Sequence, residues 1–233
     1  MKIFLLNIAF FLSLNTFCQN PTNKYFVSSY IGSIQYYGDL NELKSNIDIR
    51  NFLQTKDPLF GMCVGKKFNN YFDTQLTIEA GGFKESKAAL NLSTTTSFYQ
   101  ITQRIEADIF NLTHPYIPIA RQKINTLVYV GLGINGFRSN ANDIDNNLSL
   151  RHAQSTKLAL SYGISFRYKI TNTTSLNCDF GHNKIYSDIF DATIGEDKVE
   201  FGKIKDKKIS SYKTALDMWA GLRVGLIFEL NKL

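Results

Sequence analysis

The amino-acid sequence predicts an all-β chain folded as an eight-stranded antiparallel up-and-down transmembrane β-barrel, and three observations carry that prediction. Apolar and polar residues alternate with a period of two over long segments, as strands with one greasy face do. Beyond the N-terminus no apolar run approaches the roughly 20 residues of a spanning helix, which leaves the closed barrel as the way for this backbone to cross lipid. The connections between the alternating segments differ in length, and the long ones gather at one end.

The 233 residues, 44% of them hydrophobic, suffice for one domain with a substantial core. Lys2 and the apolar stretch Ile3 to Leu14, interrupted only by Asn7 and Ser13, predict a secretory signal peptide over residues 1–18 and a barrel domain over 19–233. Cys18 raises the alternative of a lipidated N-terminus. Phe17 stands where lipoprotein processing needs a small residue, which favours ordinary cleavage near Cys18 or Gln19.

The strands follow in order. Tyr25 to Tyr37 has strand composition but an ambiguous phase. Phe60, Met62 and Val64 alternate with Gly61, Cys63 and Gly65, and Phe72, Thr74, Leu76, Ile78 and Ala80 with Asp73, Gln75, Thr77, Glu79 and Gly81. Ile101, Ile105, Ala107 and Ile109 oppose Arg104, Glu106 and Asp108; Val128, Val130, Leu132 and Ile134 oppose Tyr129, Gly131, Gly133 and Asn135. In Lys157 to Ile170 every even position is apolar or aromatic. Leu176, Cys178 and Phe180 oppose Asn177, Asp179 and Gly181, and Leu216 to Leu230 closes the set with another strict alternation. A helix would scatter these sets around its circumference.

Gly38 to Pro58, Lys84 to Ser97, Arg138 to Thr156 and Ser187 to Ser211 read as long connections, Thr113 to Lys123 as intermediate, and Phe68 to Tyr71 and Thr171 to Thr174 as short turns. Outer-membrane barrels have this asymmetry of short periplasmic turns and long external loops. A lipocalin-like secreted barrel shares the alternation and inverts it, with the apolar set inside. Two features favour the membrane version. The less apolar set is rich in glycine, which suits the cramped interior of eight strands. Aromatics (Tyr25, Tyr36, Tyr37, Phe60, Phe72, Phe110, Tyr168, Phe228) stand near strand ends, where an interfacial girdle places them. The inward set then holds Glu79, Glu106, Asp108, Asp179 and Asp217 with Arg104, Arg167 and Arg223. Unpaired buried charge is costly, so these are expected to pair and close the lumen. A water-filled eyelet for small solutes is the alternative, but open channels usually take about 16 strands or more.

Chemical motifs are sparse. A net charge of +6 from 26 basic and 20 acidic residues spread along the chain points to no nucleic-acid partner. Three cysteines make no disulfide framework or CxxC pair. His114, His152 and His182 lack metal-ligand spacing, and no P-loop or GxSxG calls for a cofactor or a hydrolase. A lipid-modifying enzyme assembled from His182, Ser187 and Asp188 matches no nucleophile template; Asp39, Asp188 and Asp191 read as turn caps before cation ligands. Lys203, Lys205, Lys207 and Lys208 lie within reach of outer-leaflet lipid phosphates, but salt screening makes exposed lysines weakly selective and a solvated loop is the favoured reading. Pro115, Tyr116, Ile117, Pro118 and Ile119 are unusually apolar for a periplasmic turn and form a candidate protein contact.

The segment Tyr30 to Leu40 resembles the "GxSxYxGDL" first strand and following loop of small outer-membrane β-barrel proteins of Bacteroidota. Leu59-Phe60-Gly61, Tyr129 to Gly133 and Tyr162 to Tyr168 resemble that family's later strands, and Ile185 to Asp191 is similar to its "TDYLD" segment. The resemblance implies an outer-membrane location and an eight-stranded barrel without assigned activity. One branch sharing the opening is similar to the barrel subunit of the type IX secretion and gliding apparatus. The expectation is a non-enzymatic structural or partner-binding subunit of an envelope assembly, bathed in outer-membrane lipid, with protein partners on the periplasmic side or in the membrane.

Overall fold

The computed structural model describes residues 24–37, 57–87, 92–113, 123–143, 149–186 and 217–230. Eight antiparallel strands close into one barrel in sequence order: β1 (Lys24–Tyr37), β2 (Pro58–Lys67), β3 (Phe72–Lys87), β4 (Leu92–Asp108), β5 (Ile124–Asp143), β6 (Ser149–Lys169), β7 (Thr174–Ile185) and β8 (Met218–Leu230). The first and last strands zip together from Tyr25↔Leu230 to Tyr37↔Met218, so no edge is left at the seam. Following the pairing once around from Val27, through Val64, Leu76, Gln103, Leu132, Leu160, Lys184 and Met218, returns to β1 at Tyr37. The stagger of ten residues tilts the strands and sets which side chains share a level inside.

The two faces divide as the alternation demands. Ile31, Phe60, Met62, Val64, Val130, Leu132 and Ile170 are each more than half exposed on the outside, an inversion of the soluble rule that only an apolar solvent tolerates. The even residues of β1 (Phe26, Ser28, Tyr30, Ile34, Tyr36) point inward. Its phase is unreadable in the sequence because both faces mix aromatic and aliphatic residues with small polar ones. The inward rings fill space that glycine leaves: a Cβ on Gly61 would lie 2.3 Å from the Tyr30 ring, and one on Gly65 2.1 Å from Phe26. Both pairs are direct cross-strand partners.

Several expectations need correction. Tyr36 is fully buried and stacks on Phe83 inside the barrel, with ring centroids 4.4 Å apart, so it is no girdle residue. Ile109 and Phe110 belong to a short helix, α1 (Ile109–Thr113), that turns the chain below β4. Asp108 forms its N-terminal cap by accepting from the Asn111 backbone N–H at 3.0 Å. Lys84 to Ser97 and Arg138 to Thr156 are mostly strand: β3 and β4 pair as far as Lys87↔Leu92, and β5 and β6 pair up to Asn142↔Ser149 past a register shift at Ala141/Asn142. About 9 to 11 residues cross a bilayer, so 20 in β5 and 21 in β6 carry the sheet well beyond it.

Candidate functional site

The lumen is where the charged residues converge, and it is filled in layers. Nearest the periplasmic end, Lys24 and Lys67 reach Glu229 at 3.3 and 2.5 Å, tying β1, β2 and β8. Above them Arg167 on β6 bridges Asp73 on β3 (2.6 Å) and Glu106 on β4. Glu106 also accepts from Gln75 Nε2 at 2.7 Å. In the middle layer Arg223 on β8 contacts Glu79 at 2.6 Å and bonds Asp179, while Arg104 on β4 reaches the same two carboxylates at 3.3 and 3.9 Å. Tyr30 donates to Glu79 at 2.9 Å and Tyr129 to Asp179 at 3.1 Å. The Arg104 guanidinium lies over the Tyr129 ring at 4.7 Å. Each arginine braces two carboxylates on different strands, a task for which a planar five-donor fork suits better than an ammonium.

An amide layer follows, in which Gln100 donates to Asn183 (2.7 Å) and accepts from Asn135 (3.1 Å). The outer end is sealed by apolar side chains: Ile34, Tyr36, Leu59, Phe83, Phe98, Phe137, Ile185 and Trp219 form one buried cluster. Phe98 and Trp219 pack with ring centroids 5.0 Å apart. Among the charged layers a cavity of about 10 Å³ remains, lined by Ser28, Tyr30, Gln75, Arg104, Arg167 and Arg223 among others, room for about one water molecule.

All eight charged residues singled out from the sequence (Glu79, Arg104, Glu106, Asp108, Arg167, Asp179, Asp217, Arg223) are buried. Six of them join the ion pairs just described. Asp108 instead caps α1 and accepts from Asn125 at 2.5 Å, and Asp217 accepts from Tyr36 at 2.5 Å. Sequence reasoning missed Asp73, Gln75 and Tyr129, which share the phase of residues it did place inside, and it missed the apolar seal altogether. Closure therefore rests on apolar packing as well as on charge pairs. The apolar turn residues Pro115, Tyr116, Ile117, Pro118 and Ile119 lie outside the described residues, as do Cys18, Asp39, His114, Ser187, Asp188, Asp191 and the lysines at 203, 205, 207 and 208.

Reactive chemistry finds little here. His182 faces outward, its ring between Tyr162 and Phe180 at centroid distances of 5.5 Å each. Cys63 and Cys178 are unpaired, and among the described residues no three His, Cys, Asp or Glu side chains group to hold a metal ion. Gly131, Gly133 and Gly136 spell GxGxxG, but they lie within β5 and not at a strand-to-helix turn, so they build no phosphate cradle. Gly133 serves close packing, since a Cβ there would meet the Ile101 carbonyl at 2.1 Å.

A sequence model described as "Outer membrane protein beta-barrel domain" matches residues 4–224. No curated protein matches the chain. Similar solved structures include Neisserial surface protein A (13% identity, 88% of this chain and 97% of that one, TM-score 0.49). They also include Ail, the attachment invasion locus protein of Yersinia pestis (10%, 90% and 99%, 0.48), and a major outer membrane protein from Thermus thermophilus (14%, 88% and 99%, 0.48).

Proposed function

Because the chain belongs to the outer membrane protein β-barrel domain family and resides in the outer membrane, we propose that it is a non-enzymatic structural or partner-binding subunit of an envelope assembly. The observation that carries this reading is the filled lumen. Layers of ion pairs, amides and aromatic rings stand across the path a solute would take, so the surfaces left for function are the two rims and the lipid-facing wall. An eight-stranded barrel of this kind is a rigid membrane anchor, and its contribution is to present loops and turns at fixed positions. The first-strand segment Tyr30 to Leu40 supports placing the assembly in the type IX secretion and gliding apparatus of a Bacteroidota cell. Partners would then meet the periplasmic turns, Pro115 to Ile119 foremost, or the wall within the membrane.

The test is crosslinking in intact cells followed by gentle extraction and mass spectrometry of what accompanies the barrel. A stoichiometric partner is expected, and its yield falls when Tyr116, Ile117 and Ile119 are changed to serine. Recovery of the barrel alone would overturn the reading. Discrete conductance steps from the reconstituted protein would replace it with a small-solute pore.

A further inference from the structure

The lipid-facing side of β4 carries a carboxamide at mid-depth. Outward residues along this strand run Tyr99, Ile101, Gln103, Ile105 and Ala107, from the outer aromatic level to the turn at Asp108. Gln103 is two outward positions from either limit, about 13 Å of strand, too far for its head to reach water. Its cross-strand neighbours Leu76 and Leu132 are exposed and apolar. Gln103 Nε2 donates to Thr74 Oγ1 at 2.5 Å, and Thr74 passes its own hydrogen to the Arg104 carbonyl at 3.0 Å. Among the described residues the second amide hydrogen and Oε1 of Gln103 have no partner. Acyl chains offer none, and an unmet polar group in hydrocarbon is costly. Ser29 and Thr126 also lie on the outward face, but a hydroxyl can return its hydrogen to nearby backbone. A carboxamide has more capacity than that to satisfy.

We propose that Gln103 marks a self-association face, on which a second copy of this chain docks β4 against β4 and the two carboxamides bond reciprocally. Symmetry selects the occupant. Both copies insert with the same end outward, so a two-fold axis relating them runs along the bilayer normal and every residue keeps its depth. A residue on that axis meets its own copy. Glutamine is complementary to itself, with donor and acceptor on one planar group, where a lysine or a carboxylate would repel its copy. The flanking Leu76, Ile101, Ile105 and Leu132 fill the contact but give no preference over lipid, which leaves the amide pair to supply it.

The test uses the full chain in native outer membranes with Cys178→Ser to remove the outward thiol. Ile101→Cys is expected to form an oxidative dimer of twice the chain mass, and Leu226→Cys, on β8 across the barrel, none. Gln103→Leu, in the Ile101→Cys chain, should reduce the dimer-to-monomer ratio about three- to thirtyfold while the barrel keeps its heat-modifiable mobility, which separates lost association from lost folding. Equal crosslinking at Ile101→Cys and Leu226→Cys, an unchanged dimer in Gln103→Leu, or capture of a different protein at Ile101→Cys would each overturn the proposal. None of these outcomes bears on whether periplasmic turns recruit partners, so the two readings fail separately.

Discussion

Arg223 serves Glu79 on β3 and Asp179 on its neighbour β7, so its removal leaves two buried carboxylates to share the single guanidinium of Arg104. Breaking a buried pair from one side costs about 3–5 kcal/mol, and Arg223→Met is expected to lower the unfolding free energy by that amount in urea titrations of the barrel in lipid vesicles. Adding Glu79→Gln to the same chain should recover part of the loss, because one unpaired charge disappears; strict additivity would show that the two groups do not interact. The inward glycines set a second residue-level constraint. Gly61→Ala places a methyl 2.3 Å from the Tyr30 ring, which is held by its bond to Glu79. The expected cost is about 1–3 kcal/mol in the same titration, and a negligible change would mean the ring yields freely. Individual charges were legible in the sequence because Glu79, Arg104 and Arg223 stand on the polar phase of a clean alternation. Asp73 shares that phase and was passed over, and which carboxylate each arginine meets depends on a stagger of ten residues that the sequence does not display.

Strands β6 and β8 were readable at once, since their outward residues are apolar and their inward ones small or charged. Strand β1 was not, because Phe26, Tyr30, Ile34 and Tyr36 make its inner face as apolar as its outer one. The upper halves of β3 to β6 escaped for the opposite reason. Outside the bilayer neither face needs to be greasy, so Ser93 to Ser97 and Ser149 to Thr156 show no hydrophobic period and read as loops. These extensions pair with each other and are remote from the ion pairs, which makes them separable from the barrel. Ser139 and Ala153 are register partners. Replacing residues 140–152 by Asn-Gly is expected to retain the heat-modifiable barrel with its unfolding free energy within about 1 kcal/mol, the scale of a change in loop length. Loss of the folded band would show instead that the projecting sheet helps to hold the wall together.

Considered across its whole height, the molecule places two kinds of barrier in series along one narrow lumen. The inner one is electrostatic: Arg104, Arg223, Glu79 and Asp179 leave space for about one water molecule beside them. The outer one is apolar, with Trp219 and Phe98 at its centre and Tyr36, Phe83 and Phe137 around them. A hydrated ion must shed water to pass the rings and must displace a bonded arginine to pass the charges, so either barrier alone is sufficient to stop conduction. Opening one should therefore change little. The reconstituted wild-type chain is expected to be silent in planar bilayers, and so is Trp219→Ala with Phe98→Ala, even though that pair of truncations hollows the outer end and costs several kcal/mol of stability. Conduction in the double variant but not in the wild type would show that the charged layer is passable and that the rings form a gate. Silence in both, with the charged layer intact, is what a closed membrane anchor requires.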